Sequence, residues 1–178
     1  MEVKETPLSE IAKITMGQSP NSTTYNTVGK GVPLLNGATD FRTKISTSKW
    51  TTDPKRMACP GSYIFGVRAT IGLTKLIRKN YAIGRGTGTA KVLNPKYQEF
   101  LYFCLQQLFD YYSKVGSGSV YINISKSDFE KYKVLIPNDP CLNEFHVRNK
   151  CIFEEIQSNS IENEKLTQIK EILLSNLF

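Results

Sequence analysis

The sequence contains no run of about 18 apolar residues, the length a helix needs to cross a bilayer, so no membrane span is indicated. Its first ten residues, MEVKETPLSE, lack the basic-then-apolar order of a secretory signal, and both absences point to a cytoplasmic protein. Histidine occurs once, at His146, and the four cysteines (Cys59, Cys104, Cys141, Cys151) form no CxxC pair. The spacing of a zinc site is therefore missing, no metal is expected, and reduced, mostly buried thiols are the default. Acidic residues are scarce where it matters most: residues 30 to 91 hold only Asp40 and Asp53.

What is present follows from that last scarcity. The formal charge is +7, and residues 30 to 91 carry 12 Lys or Arg against the two acids just named. Residues 1 to 29 sum to −1, residues 92 to 140 to 0, and residues 141 to 178 hold 4 basic and 6 acidic side chains. One continuous third of the chain thus holds the positive field, which suits a polyanion, most simply the phosphates of nucleic acid. With 178 residues, 40% of them hydrophobic and 11% aromatic, the chain can build one core.

The C-terminal run PCLNEFHVRNKCIFEEIQSNSIENEKLTQIKEILLSNLF has no glycine or proline after its first residue. Asp139 as N-cap and Pro140 at the first helical position predict one long helix of about 36 residues, about 54 Å at 1.5 Å per residue. Apolar positions keep a seven-residue clock. Phe145, Ile152, Asn159, Leu166 and Leu173 fall on one line; Leu142, Asn149, Ile156, Asn163, Lys170 and Leu177 fall beside it. Such a stripe is too long to bury wholly on a small domain, so it is expected to seek another helix, the alternative being a helix that folds back on its own head. Phe145, Ile152, Ile156, Leu166, Leu173 and Leu177 are the candidate pairing residues. Asn159 and Asn163 are candidates for fixing register.

In the head, LSEIAKITM (8 to 16) is short helix or strand, followed by a polar loop in which Gln18, Ser19, Asn21 and Thr23 can read phosphates or base edges. Val32–Phe41 reads as a buried strand ended by the turn dipeptide Asn36-Gly37, and Arg42–Trp50 as a neighbouring strand. Gly61–Ile77 reads as a hairpin. Asn94 caps a core helix over Tyr97, Phe100, Leu101, Cys104, Leu105, Leu108 and Tyr112, ending near Gly116. Val120–Ile122 is a short strand, Ser127-Asp128-Phe129-Glu130 has capping-box spacing, and Val134–Ile136 is the last strand. The fold class expected is α+β: a globular head, residues 1–138, with a small twisted mixed or antiparallel sheet and packed helices. A long C-terminal coiled-coil helix follows, residues 139–178.

Three short matches to catalytic motifs fail on chemistry. Asp53-Pro54-Lys55 has the Asp-x-Lys core of a nuclease metal site, but Pro54 removes a ladder donor where a strand is needed and no third acid is near. Gly84-Arg85-Gly86-Thr87-Gly88 lacks the Gly-Lys-Ser/Thr ending of a phosphate loop, and a strand follows it rather than a helix. Asn94-Pro95-Lys96-Tyr97 lacks the second proline of the amino-methyltransferase Asn-Pro-Pro-Tyr/Phe motif, and no glycine-rich cofactor loop precedes it.

The succession of elements resembles half of a type I restriction enzyme specificity subunit, one target recognition domain followed by one long helix. Four passages carry the likeness: Gly17-Gln18-Ser19-Pro20; GSYIFGVRATIG (Gly61–Gly72), similar to the family's G-D-I-L-x-S-x-R-x-T-I-G; AIGRGTGTA (Ala82–Ala90); and GSVYINISKSDFEKYKVLIP (Gly118–Pro137). Ser62 stands where the family has Asp and Gly66 where Ser is common. Family members carry two such halves and this sequence one, beginning at its own Met1, either a natural half-subunit or a shortened chain. The resemblance implies a non-catalytic subunit that binds a short duplex DNA sequence and docks methyltransferase subunits and, through them, a restriction/translocase subunit. S-adenosylmethionine, ATP and Mg are then expected on those partners, with no cofactor on this chain. A single half would homodimerise through residues 139–178 and read an interrupted palindrome. A helix of about 54 Å spaces the heads by no more than about 16 base pairs. Candidate DNA contacts are Gln18, Ser19, Lys30, Arg42, Lys44, Lys49, Lys55 and Arg56, with Arg68, Thr70, Arg85, Thr87, Ser117 and Tyr121 in turns. Arg68 and Arg85 are the favoured base readers, because a guanidinium can bond guanine twice. The competing reading is a coiled-coil protein-interaction adaptor with an incidentally basic head.

Overall fold

The chain starts as a strand, Val3–Pro7 (β1), and crosses a 3-10 turn at Leu8–Glu10 into Ala12–Met16 (β2). The structure, a computed structural model, describes residues 2–67, 71–115 and 124–176. Tyr25–Asn26 (β3), Val32–Leu35 (β4), Trp50–Thr51 (β5), Met57–Ala58 (β6), Tyr63–Gly66 (β7), Thr74–Leu76 (β8), Tyr81–Ile83 (β9) and Thr87–Val92 (β10) follow. After them come Gln98–Val115 (α1), Lys126–Lys131 (α2), Lys133–Pro137 (β11) and Asp139–Ser175 (α3). The α+β class and the long terminal helix are as expected, but the strands of the described residues form three sheets rather than one: β1-β11, β2-β10-β7-β8 and β3-β5-β4-β9-β6.

Strand β7 shows why the sheets stack as they do. Successive side chains on a strand point to opposite faces. Tyr63 and Phe65 enter one cluster with Leu101, Leu105 and Leu108 of α1 and Phe129 of α2, while Ile64 enters a second with Leu35, Phe41, Ile77 and Ile83. Both faces of β7 are thereby buried. Phe65 lies at the centre of the larger cluster, its ring stacked on Phe129 at 4.7 Å and tilted against Phe109 at 5.6 Å. The parallel pairing of β4 with β9 joins Leu34 to Ala82 and Leu35 to Ile83 and brings the ends of both strands to one side of the head.

Several expectations need correction. Arg42–Lys49 forms no strand: Ile45 is its only apolar residue, so alternation has no face to bury, and Ser46 N instead bonds Asp40 O at 2.8 Å. Asn138, not Asp139, caps α3, accepting from Cys141 N at 3.2 Å. The capping box of α2 is Ser125 with Asp128, not Ser127 with Glu130. Strand β1, which nothing in the apolar pattern announces, pairs with β11 from Val3↔Pro137 to Pro7↔Lys133, and Asn138 N bonds Glu2 O at 3.2 Å. The expected strand Val120–Ile122 lies outside the described residues.

Helix α3 is 37 residues, about 55 Å long. Its first turns do not stand free. Phe145 packs edge-on against Phe100 and Phe103 of α1, and Phe153 against Tyr102 and Phe103, with centroids 5.7 to 6.3 Å apart. Glu99 of α1, 3% exposed, meets His146 Nδ1 at 2.5 Å, and farther along Arg78 donates to the Gln157 carbonyl oxygen. The helix therefore leans on its own head along one stripe.

Replacing Phe65 by Ala is expected to cost about 3 to 5 kcal/mol, read as a lower urea midpoint at unchanged slope. Burial pushes the Cys104 thiol up to about 12, whereas Cys59 and Cys151 are exposed. Since the thiolate is the reactive form, native-state alkylation at pH 8 followed by peptide mass mapping should label Cys59 and Cys151 and leave Cys104 unmodified.

Candidate nucleic-acid interface

Three loops meet at one end of the head because their backbones bond one another. Gly17 N donates to Thr87 O at 2.8 Å, Gln18 N to Ile83 O at 3.0 Å and Gly84 N to Leu35 O at 2.8 Å. Glycine is required for this approach: a Cβ on Gly17 would sit 2.0 Å from Gly84 O, and one on Gly84 would sit 1.9 Å from Asn36 Oδ1. The turn after β4 is held by Asp40, whose Oδ2 accepts from Asn36 N at 2.7 Å and Gly37 N at 3.1 Å. On this frame the Ser19 hydroxyl donates to Asn36 Oδ1 at 3.5 Å and accepts from Arg85 N at 3.4 Å. Gln18, Asn36 and Arg85 are exposed around it. A set of amide, hydroxyl and guanidinium groups on a rigid junction can bond base edges or phosphate oxygens.

The residues predicted to touch DNA divide into groups. Gln18, Ser19 and Arg85 come together at the junction, and Arg56 stands near it, its carbonyl accepting from Ile83 N at 3.0 Å. Lys30 and Lys49 lie elsewhere, around β3 and β5: Lys30 closes a turn with Asn26 (2.9 and 2.8 Å), and the Lys49 carbonyl accepts from Leu34 N at 2.8 Å. Lys55 is ion-paired with Asp53 at 2.5 Å on the surface. Arg42 is exposed, and exposed Lys44 lines a cleft toward α3. Thr87 is a correction: it is wholly buried and its hydroxyl donates to Gly84 O at 2.9 Å, so it builds the junction without reaching a ligand. Arg68, Thr70, Ser117 and Tyr121 lie outside the described residues. Asn36 joins the site unpredicted, because Asn-Gly reads only as a turn signal in sequence. Lys75, Arg78 and Lys79, counted in the basic third but not singled out, gather beside Lys44.

The helical seam divides in the same way. Leu142 is fully buried, and Phe145, His146, Asn149, Phe153, Gln157 and Glu164 are partly covered by the head. Phe145 packs on Phe100 and Phe103 of α1. Ile152, Ile156, Leu166 and Leu173 are 54 to 59% exposed, and Asn159 and Asn163 are also exposed. Leu177 lies outside the described residues. No group of three or more metal-ligating side chains occurs among the described residues, and none of their helices is long and apolar enough to cross a membrane.

By fold and surface this is an α+β domain with polar and cationic groups on joined loops and an exposed apolar stripe along its terminal helix. Residues 1–172 match the family described as type I restriction modification DNA specificity domain, and the chain belongs to that family. It is 29% identical, over 99% of its own length and 42% of the relative's, to a putative type I restriction enzyme MjaX specificity subunit of Methanocaldococcus jannaschii. It is 26% identical, over 96% of its length and 39% of the relative's, to the type I restriction enzyme HindI specificity subunit of Haemophilus influenzae. The crystal structure of the HsdS subunit from Thermoanaerobacter tengcongensis matches with a TM-score of 0.70 and 28% identity, over 90% of this chain and 38% of that one. The chain thus spans about two fifths of the length of the relatives it matches.

Gly17→Ala should displace the junction, because the clash is with backbone that cannot swing aside. Hydrogen exchange is expected to speed up at the amides of Gln18, Gly84 and Thr87 while the α1 amides keep their protection.

Proposed function

We propose that this chain is a non-catalytic DNA-recognition module of a type I restriction-modification system. The observation that carries the reading is the family match over residues 1–172, read together with the exposed Arg85, Gln18 and Asn36 around Ser19. In this reading the junction loops contact base edges, and lysines of the basic third neutralise phosphates. Catalysis, with S-adenosylmethionine, ATP and Mg, belongs to methyltransferase and restriction subunits that the module docks, all in the cytoplasm.

The open stripe on α3 (Ile152, Ile156, Leu166, Leu173) supports pairing with a second long helix. For this chain alone that helix is supplied by a second copy, antiparallel. Residues 1–138 then act as reading head and residues 139–178 as spacer, and the dimer reads two inverted copies of one short sequence.

Duplex binding should weaken steeply with salt. Arg85→Ala should lose preference for its target, about 1 to 3 kcal/mol at one base pair, while non-specific binding persists. Binding that ignores both salt and sequence with the methyltransferase partner present would refute the reading. Ile156→Lys combined with Leu166→Lys should halve the mass seen by light scattering without changing the melting of the head. A wild-type chain that is monomeric at tens of micromolar would contradict the homodimer.

A further inference from the structure

A cleft runs between α3 and the basic third of the head, formed by cavities of about 220, 210 and 560 Å³ that share Lys44 and Glu164. Four cations line it, Lys44, Lys75, Arg78 and Lys79, against one acid, Glu164, among the described residues. None of the four forms an ion pair among the described residues. Three of them have neutral partners: Lys75 Nζ donates to Thr43 O at 3.2 Å, Lys79 Nζ sits 5.6 Å from the Tyr81 ring centre, and Arg78 donates to the Gln157 carbonyl. Glu164 lines the same cleft as Tyr81, and burial, with that negative charge added, pushes the Tyr81 hydroxyl up to about 12.

Gathering like charges with so little compensation disfavours the folded state unless an anion shares the site. The α3 wall offers neutral polar groups, Asn159, Ser160 and Asn163, suited to phosphate oxygens. The loop that supplies Lys44 begins at Asn36, beside Ser19 and Arg85, and carries Arg42 on the way, so exposed cations run from the recognition loops toward the helix. We propose that this cleft holds the sugar-phosphate backbone of duplex DNA as it leaves the recognition loops and passes along α3, with Lys44, Lys75 and Lys79 neutralising phosphates. The inference rests on the DNA-recognition reading and adds a second contact, made through backbone alone, that ties the duplex to the spacer helix.

The test is fluorescence anisotropy of the full chain, with its methyltransferase partner, on labelled duplexes of unrelated sequence across a salt series. Lys44→Gln combined with Lys79→Gln should flatten the log-affinity against log-salt slope by about 2 and weaken binding about tenfold per lysine at 0.1 M salt, equally for all sequences. Lys4→Gln with Lys133→Gln, on β1 and β11, removes the same charge away from the cleft and should leave the slope near wild type. Glu164→Gln should act oppositely and tighten binding, an outcome that misfolding cannot imitate. Slopes alike for the cleft and control pairs, or unchanged affinity for Glu164→Gln, would overturn the proposal while leaving DNA recognition intact. Weaker partner association without DNA, at unchanged duplex affinity, would overturn it in favour of an acidic protein surface. A wild-type complex that binds no duplex at low salt would instead bring down the DNA-recognition reading itself.

Discussion

A carboxylate buried to 3% exposure must find a donor, and Glu99 of α1 finds His146 of α3 at 2.5 Å. That contact, inside the ring-edge packing of Phe100, Tyr102 and Phe103 against Phe145 and Phe153, determines which side of α3 meets the head. The rest of the helix follows from that rotation. Arg78 reaches the Gln157 carbonyl, Glu164 enters the basic cleft, and Ile152, Leu166 and Leu173 are left exposed. Without the α1 anchor, neither the cleft nor the open stripe has a defined position.

The basic third of the sequence does not fold into one uniform patch. The parallel pairing of β4 with β9 carries Asn36 and Arg85 to the loop junction, while the segment after Phe41 turns away and brings Lys44 beside Lys75, Arg78 and Lys79 at the helix. A net charge thus becomes two chemically different surfaces. One has side-chain amide, hydroxyl and guanidinium groups held by close backbone contacts between glycines; the other has ammonium groups in a cleft with neutral donors. The first suits discrimination between bases and the second suits attraction without discrimination.

What was legible in the sequence had long periodic signals or sharp punctuation. Helices α1 and α3 and the β7-β8 hairpin fall where apolar spacing, Asn94 and the glycines placed them. Strand β1 was not legible, because its partner β11 lies about 130 residues away and Val3 is the one apolar residue within the strand before Pro7. The seven-residue clock put Phe145 in line with Ile152, yet a straight helix drifts about 20° per heptad from such a clock. The stripe that actually touches the head, Leu142, His146, Asn149, Phe153, Gln157 and Glu164, follows the 3.6-residue period instead. Thr87 resembled a ligand-facing turn residue, and only the tertiary closeness of Gly84 and Leu35 turns its hydroxyl inward.

The central claim is that two such heads, held apart by α3, read one duplex at separated sites. Hydroxyl-radical footprinting on a duplex selected from a random library tests it most directly. The account predicts two protected segments related by a dyad, with a less protected interval between them. A single continuous footprint without dyad symmetry, or none with the methyltransferase partner present, would contradict it.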